Sequence, residues 1–125
     1  MIENKDFDFT GRRVLVTGAA GGIGSAIAKV FAAHGGELIL ADIDVDALKK
    51  QAGKLDKGIS VHQYDQSDAS SIAKLATMVG SVDIFCNNAG MNQAGLFLEQ
   101  SPETIQRVIA IDLIGPVLLA RHIGE

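Results

Sequence analysis

The segment "VLVTGAAGGIGSAIAKVF", Val14 to Phe31, places Gly18, Gly21, Gly22 and Gly24 between a β-branched run and an amphipathic one. A strand ending at Thr17-Gly18 that turns sharply into a helix starting near Gly22 leaves unpaired N–H groups and a partial positive charge at the helix start. Side chains in that turn would block whatever approaches, and glycines remove the block. The chemistry this suits is phosphate binding by backbone, without a lysine. A nucleoside-triphosphate P-loop is excluded, since no Gly-Lys-Ser/Thr follows at the required spacing. A carboxylate, Asp42, closes the next apolar run 24 residues after Gly18, where a ribose-hydroxyl acceptor is expected. The alternatives at this point are a glycine-rich turn with no ligand and, for Asp42, a cap for a helix starting near Asp44.

These residues need a sheet and helices to position them. Short β-rich runs, "RVLVT" (Arg13 to Thr17), "ELILA" (Glu37 to Ala41), "ISVHQY" (Ile59 to Tyr64) and "VDIFCN" (Val82 to Asn87), alternate with helical patterns. They are near-continuous apolar runs, as strands of a parallel sheet buried on both faces are. Ile23, Ile27, Val30 and Phe31 recur at helical spacing, as do Ile72, Leu75, Ala76 and Val79. Asp44 to Ala52 is a weaker helix, followed by a turn over Gly53 to Gly58. Ser101 has the character of an N-cap with Pro102 at the first helical position, opening a helix through Ile105, Val108, Ile109 and Ile111. Gly115-Pro116 is expected to bend or interrupt it, because proline removes a backbone donor and clashes with the preceding turn. "VLLARHIGE" beyond is helical again.

Bulk properties narrow the function. With 125 residues, 47% hydrophobic and 21% charged, the chain makes one ordinary domain. A net charge of -4, with no basic run beyond Arg12-Arg13 and Lys49-Lys50, gives no electrostatic case for nucleic acid. No apolar segment approaches the roughly 18 residues of a membrane span. The start "MIENKDFDF" is acidic and polar where a secretory signal would be basic and then apolar. A lone cysteine, Cys86, cannot form an internal disulfide, which fits a reducing cytoplasm. Cys86 lies in a strand pattern and is expected to be a core residue. His34, His62 and His122 show no metal-ligand spacing, so no metal is expected. Met78 and Met91 carry no signal beyond packing.

"TGAAGGIG" (Thr17 to Gly24) followed by "NNAG" (Asn87 to Gly90) after the fourth strand resembles the short-chain dehydrogenase/reductase family, whose two hallmarks occur in this order. Asp83 in "VDIFCNNAG", Asp65 in "YDQSD" and "IDLIGP" resemble it too, so that the likeness runs from Phe9 to the C-terminus. The resemblance implies an α/β, Rossmann-like parallel sheet in strand order 3-2-1-4 with flanking helices. Relative to the family it stops before the later strands, making residues 1–125 an incomplete dinucleotide-binding domain. It implies a cofactor-binding set of Gly18, Gly22, Ile23, Gly24, Asp42, Ile43, Asp65, Asn88, Ala89 and Gly90. In the family the glycines line the pyrophosphate, Asp65 contacts the adenine amino group, and Asn87 to Gly90 brace the central strand beside the cofactor ribose. Thr17 resembles the residue that ties the first turn to the NNAG segment. Asp65 has a plainer alternative, capping a helix near Ser67.

The cofactor expected is NAD, with NADP disfavoured, because Asp42 can accept both ribose hydroxyls but would face a 2′-phosphate with like charge. Ala19, Ala20 and Gly21 supply no compensating cation. The family moves hydride between nicotinamide and an alcohol or carbonyl, using a tyrosine activated by a lysine four residues on, with an upstream serine. The only tyrosine here is Tyr64, and four residues later stands Asp68. In the family those catalytic elements follow the helix that contains Arg121 and His122, so no catalytic residue is assigned and the 125 residues alone are expected to be inactive. Asp112 stands where the family usually has an asparagine linked to the proton relay. A small-molecule substrate is expected only with the further half of such a protein. The unpaired fourth strand and the helix from Glu103, which resembles one used in subunit contacts, lead to the expectation of a homo-oligomer. The alternative function is a non-catalytic dinucleotide-binding module or a truncated structural remnant that keeps the fold without turnover.

Overall fold

The computed structural model describes residues 7–55 and 58–125. Most of the acidic N-terminal segment and the middle of the Gly53 to Gly58 turn lie outside them. Four strands, β1 (Arg13–Thr17), β2 (Glu37–Asp42), β3 (Ile59–Gln63) and β4 (Ile84–Cys86), form one parallel sheet in the order β3-β2-β1-β4. The helices are α1 (Gly22–Ala33), α2 (Val45–Ala52), α3 (Ala69–Val79), α4 (Pro102–Ile109) and α5 (Gly115–Ile123), with a 3₁₀ turn at Phe97–Glu99 and a π-helical turn at Ala110–Ile114.

Alternation along the central strands builds two cores. Leu15, Ile39 and Ala41 face α3 and α5 together with Ile72, Leu75, Val79 and Leu119. Val14, Val16, Leu38 and Leu40 face the other way, against Ala28 of α1 and Leu48 of α2. Both faces of β1 and β2 are dry, which is why these runs are apolar throughout.

Helix starts follow local chemistry. Asp44 caps α2 by accepting from the Ala47 amide, Asp68 caps α3 by accepting from Ser70, and Ser101 caps α4 by accepting from Thr104, with Pro102 in the first turn. Two expectations need correction. β4 holds three residues, not six, because its ends are claimed elsewhere: the Asp83 carboxylate accepts the Arg13 amide at 2.8 Å, and the amides of Asn88 and Ala89 turn to Thr17 Oγ1. At Gly115-Pro116 the expected interruption takes another form: regular α-helix gives way to the π turn at Ala110–Ile114 and resumes at Gly115, without an end to the helical path. Ile114 and Gly115 keep right-handed helical angles, and the Gly115 amide donates to Ala110 O across a widened i→i+5 turn that gives the proline ring room.

Candidate functional site

The C-terminal ends of the strands carry the site. Gly18 has φ +64°, a left-handed conformation that glycine adopts freely, and a Cβ there would stand 2.8 Å from Ala89 Cα. At Gly24 a Cβ would collide with the Gly18 carbonyl, so α1 can lie against the loop only without a side chain. Gly22 differs: a Cβ there would meet nothing within 4 Å. The first turn of α1 has no side-chain cap and no acidic residue, and the amides of Gly22, Ile23 and Gly24 find no acceptor among the described residues. Three donors, a helix dipole and open space coincide there.

Thr17 fastens this loop to its neighbour. Its buried Oγ1 accepts from the amides of Asn88 (3.0 Å) and Ala89 (3.1 Å), while Asn88 Nδ2 donates to Thr17 O at 3.0 Å. The Asn88 side chain is therefore a brace behind the loop.

Asp42 closes β2 with one protein donor on each oxygen: Oδ2 accepts from the Ala20 amide at 3.0 Å and Oδ1 from the Asp44 amide at 3.1 Å. Since Asp44 is itself the cap of α2, Asp42 is free of that duty. A carboxylate accepts about four hydrogen bonds, so each Asp42 oxygen retains capacity for one more donor. Asp65 uses Oδ1 to accept from the amide and hydroxyl of Ser67, an Asx turn, whereas the helix cap is Asp68.

Asp42, Ile43, Asp65, Gly18, Ala89 and Gly90 meet in one cleft, of about 210 Å³, together with Tyr64, Gln66, Met91, Arg107 and Ile111. That is below the roughly 300–1,000 Å³ of a pocket for a whole drug-sized ligand, a fit for one part of a larger molecule lying along the strand ends. Gly22 and Gly24 stand outside this cleft at the helix start. Ile23 is 72% exposed, on an apolar groove of α1 with Ala26, Ile27, Val30 and Phe31.

Several cleft residues were not assigned from the sequence. Arg107 reaches it from α4, so the surroundings of Asp42 are not devoid of positive charge as the loop alone suggests. Met91 lines it, and its amide donates to Asp112 Oδ1 at 2.8 Å, which ties the residue after NNAG to the π turn. Gln66 is buried and joins three segments. For Gln66 and Met91 the signal that could have found them is their place in or beside the family's motifs, because their partners are far away in sequence, and Arg107 lies in none of those motifs. Tyr64 is buried at 4% exposure and donates to Gln66 Oε1 at 2.6 Å; burial pushes its phenol well above the ordinary tyrosine range. Burial also pushes the Cys86 thiol up, and Cys86 packs against the core on the α1 side. His34 caps the end of α1, its Nδ1 2.7 Å from Val30 O. Among the described residues no cluster of three His, Cys, Asp or Glu could hold a metal ion, and no helix is long and apolar enough to cross a membrane.

A parallel sheet in this order, with a glycine-rich first turn and an acidic residue ending the second strand, defines the dinucleotide-binding class of α/β folds. Within it, the family described as short chain dehydrogenase matches residues 12–124, and the chain belongs to that family of oxidoreductases. It is 40% identical over 119 residues to "Probable oxidoreductase EphD" of Mycobacterium tuberculosis, covering 90% of this chain and 20% of that protein. It is 36% identical over 119 residues to "Meso-2,3-butanediol dehydrogenase" of Serratia marcescens, covering 90% of this chain and 47% of that one. Among solved structures, a short-chain dehydrogenase/reductase from Brucella melitensis matches with TM-score 0.88 and 35% identity, over 93% of this chain and 52% of its own. A metagenomic short-chain oxidoreductase in complex with NADP (31% identity, TM-score 0.88, 93% and 56% coverage) and a Burkholderia phymatum enzyme in complex with NAD (29%, 0.88, 94% and 44%) match as well. The chain thus spans about a fifth to a half of the length of these relatives.

Proposed function

We propose that these 125 residues are the cofactor-binding part of an NAD-dependent short-chain dehydrogenase acting on an alcohol or carbonyl, an incomplete domain relative to the family. The observation that carries the NAD reading is Asp42, whose two oxygens each hold one backbone donor and keep room for another, the pattern that a ribose diol would complete. The site suits the rest of the cofactor. The amides of Gly22, Ile23 and Gly24 would hold the pyrophosphate, Ile43 and Asp65 the adenine end, and Ala89 and Gly90 the ribose next to the nicotinamide, with Asn88 holding that segment in place. When bound, the nicotinamide supplies or accepts the hydride. The protein's part is to orient it and exclude water.

Proton delivery is a separate matter. Tyr64, the only tyrosine, is buried, bonded to Gln66 and hard to ionise, so it has no role as proton donor. The 125 residues by themselves should hold a cofactor without turning over a substrate.

Calorimetric titration tests the reading. NAD⁺ should bind more tightly than NADP⁺, and Asp42→Ala should narrow the gap by about 1 kcal/mol or more, the scale of a lost hydrogen bond to a charged group. Arg107→Ala should reduce whatever NADP⁺ binding exists. Equal or tighter NADP⁺ binding by the unaltered chain would overturn the assignment. NADH oxidation with a ketone panel, catalysed by the chain alone, would overturn the expectation of inactivity.

A further inference from the structure

Gln66 is 6% exposed, and both polar atoms of its side-chain amide are engaged. Nε2 donates to Ala89 O at 2.7 Å and to Ile111 O at 2.8 Å, and Oε1 accepts from the Tyr64 hydroxyl at 2.6 Å. The opposite amide orientation would set a carbonyl against two carbonyls, so the network admits only this one. Its three partners belong to three segments: the residue after β3, the NNAG segment and the π turn. All three line the cleft. Packing adds to the bonds, since a Cβ on Gly115 would collide with the Gln66 backbone oxygen and side chain, so the start of α5 sits directly on this residue.

We infer that Gln66 is a positioning residue for the nucleotide cleft: one buried amide fixes the separation of the adenine-end wall, the NNAG segment and the π turn. Its polar head is spent on protein partners, so it acts through them. A fully satisfied buried network of this kind rigidifies its surroundings, whereas a partly broken one leaves Ala89 O, Ile111 O and the Tyr64 hydroxyl without partners. The inference rests on the dinucleotide reading above for the identity of the ligand, but not for the geometry.

Gln66→Glu makes the role measurable. A protonated carboxyl in this position can still donate one hydrogen bond; an ionised one would face two carbonyl oxygens, so burial and those oxygens raise its pKa. The groups around it are the Tyr64 hydroxyl, Asp65 beside it in the chain, Asp112 on the π turn, and Asp42 and Arg107 lining the same cleft. The unaltered chain carries all of these and is the baseline. NAD⁺ affinity of Gln66→Glu, relative to that baseline, should fall by about tenfold or more between about pH 5 and about pH 8, while Gln66→Leu binds weakly throughout. Baseline affinity for both variants across that range would overturn the inference. Should the unaltered chain fail to bind NAD⁺, the dinucleotide reading falls, and amide hydrogen exchange decides this one. Faster exchange at Met91 and around Ile111 in Gln66→Leu supports it, and unchanged exchange overturns it.

Discussion

The two ends of the candidate site are built on opposite principles. At the start of α1 the working groups are backbone amides, and the side chains that matter are the absent ones at Gly18, Gly22 and Gly24. In the cleft beside Asp42 and around NNAG the work falls to side chains: Thr17, Asp42, Gln66 and Asp112 each bond to backbone groups of a distant segment. The first end is a local device, its open amides and the glycines around them all lying within the seven residues from Gly18 to Gly24. The second exists only once four strands and the π turn have come together. A local device survives loss of its surroundings better, whereas a network loses function through any of its members.

The sharpest way to break this comparison lies within the glycines, which sequence alone treats alike. Gly24→Ala should destabilise the chain by about 3 kcal/mol, at the upper end of overpacking costs, because its Cβ would meet the Gly18 carbonyl, part of a backbone that cannot swing aside. Gly22→Ala should leave stability unchanged or raise it by about 0.5 kcal/mol, since space is open and alanine restricts the unfolded chain more than glycine. Its NAD⁺ affinity should nevertheless fall. Urea denaturation and calorimetry on the two variants give the answer. Equal stability loss in both would mean that the loop has no distinct ligand-facing glycine.

At the other end, Thr17→Val tests whether side chains carry the assembly. Valine keeps the shape but strands the Asn88 and Ala89 amides, at about 1–3 kcal/mol for an unsatisfied buried group. Denaturation should show a loss of about 2 kcal/mol, and amide exchange should quicken first at Asn88 and Ala89. Unchanged exchange there would show that β4 pairing alone positions NNAG.

The same contrast explains what could be read from the sequence. The glycine turn and the Ser101 cap rest on neighbours in the chain, the parallel sheet on strand patterning and its order 3-2-1-4 on the family resemblance, and the structure contains each of them; the caps Asp44 and Asp68 are equally local, but the sequence reading does not assign them. Spacing singles out Asp42 as a candidate, and resemblance singles out Thr17. Gln66 reads as an ordinary polar residue in "YDQSD", since the carbonyls that give it meaning lie 23 and 45 residues away. Arg107 reads as one polar position of an amphipathic helix, and only the tertiary fold brings it to the cleft. The "VDIFCN" reading overruns β4 at both ends, by Val82-Asp83 and by Asn87, because hydrogen bonds to Arg13 and Thr17 that the local pattern does not reveal divert the backbone there. Gly115-Pro116 predicts a break by local rules, and a π turn, which local rules do not supply, absorbs the proline.

The smallest effect is expected away from both ends. Asp83 lies where β1 and β4 begin, and its carboxyl is held below the usual carboxylate range, first by the Arg13 amide and then, more weakly, by the Arg12 guanidinium at 3.3 Å. A folded-state pKa below the unfolded value of about 3.9 means that the unfolded chain binds the proton more readily as the solution is acidified. The stability that Asp83 contributes is therefore present above about pH 4 and is lost as pH falls through the depressed folded value. Asp83→Asn should be modestly less stable than the unaltered chain at pH 7 and should converge on it in acid, with a shallower slope of stability against pH. Some slope will persist, because hydrogen bonds from Ser70 hold Asp68 low and those from Thr10 hold Asp8 low in the same way. Since Asp83 touches neither the loop nor the cleft, NAD⁺ affinity at pH 7 should not change. A parallel loss of affinity would mean that the far end of the sheet is coupled to the cleft, and the division between local loop and tertiary network would have to extend through the strands.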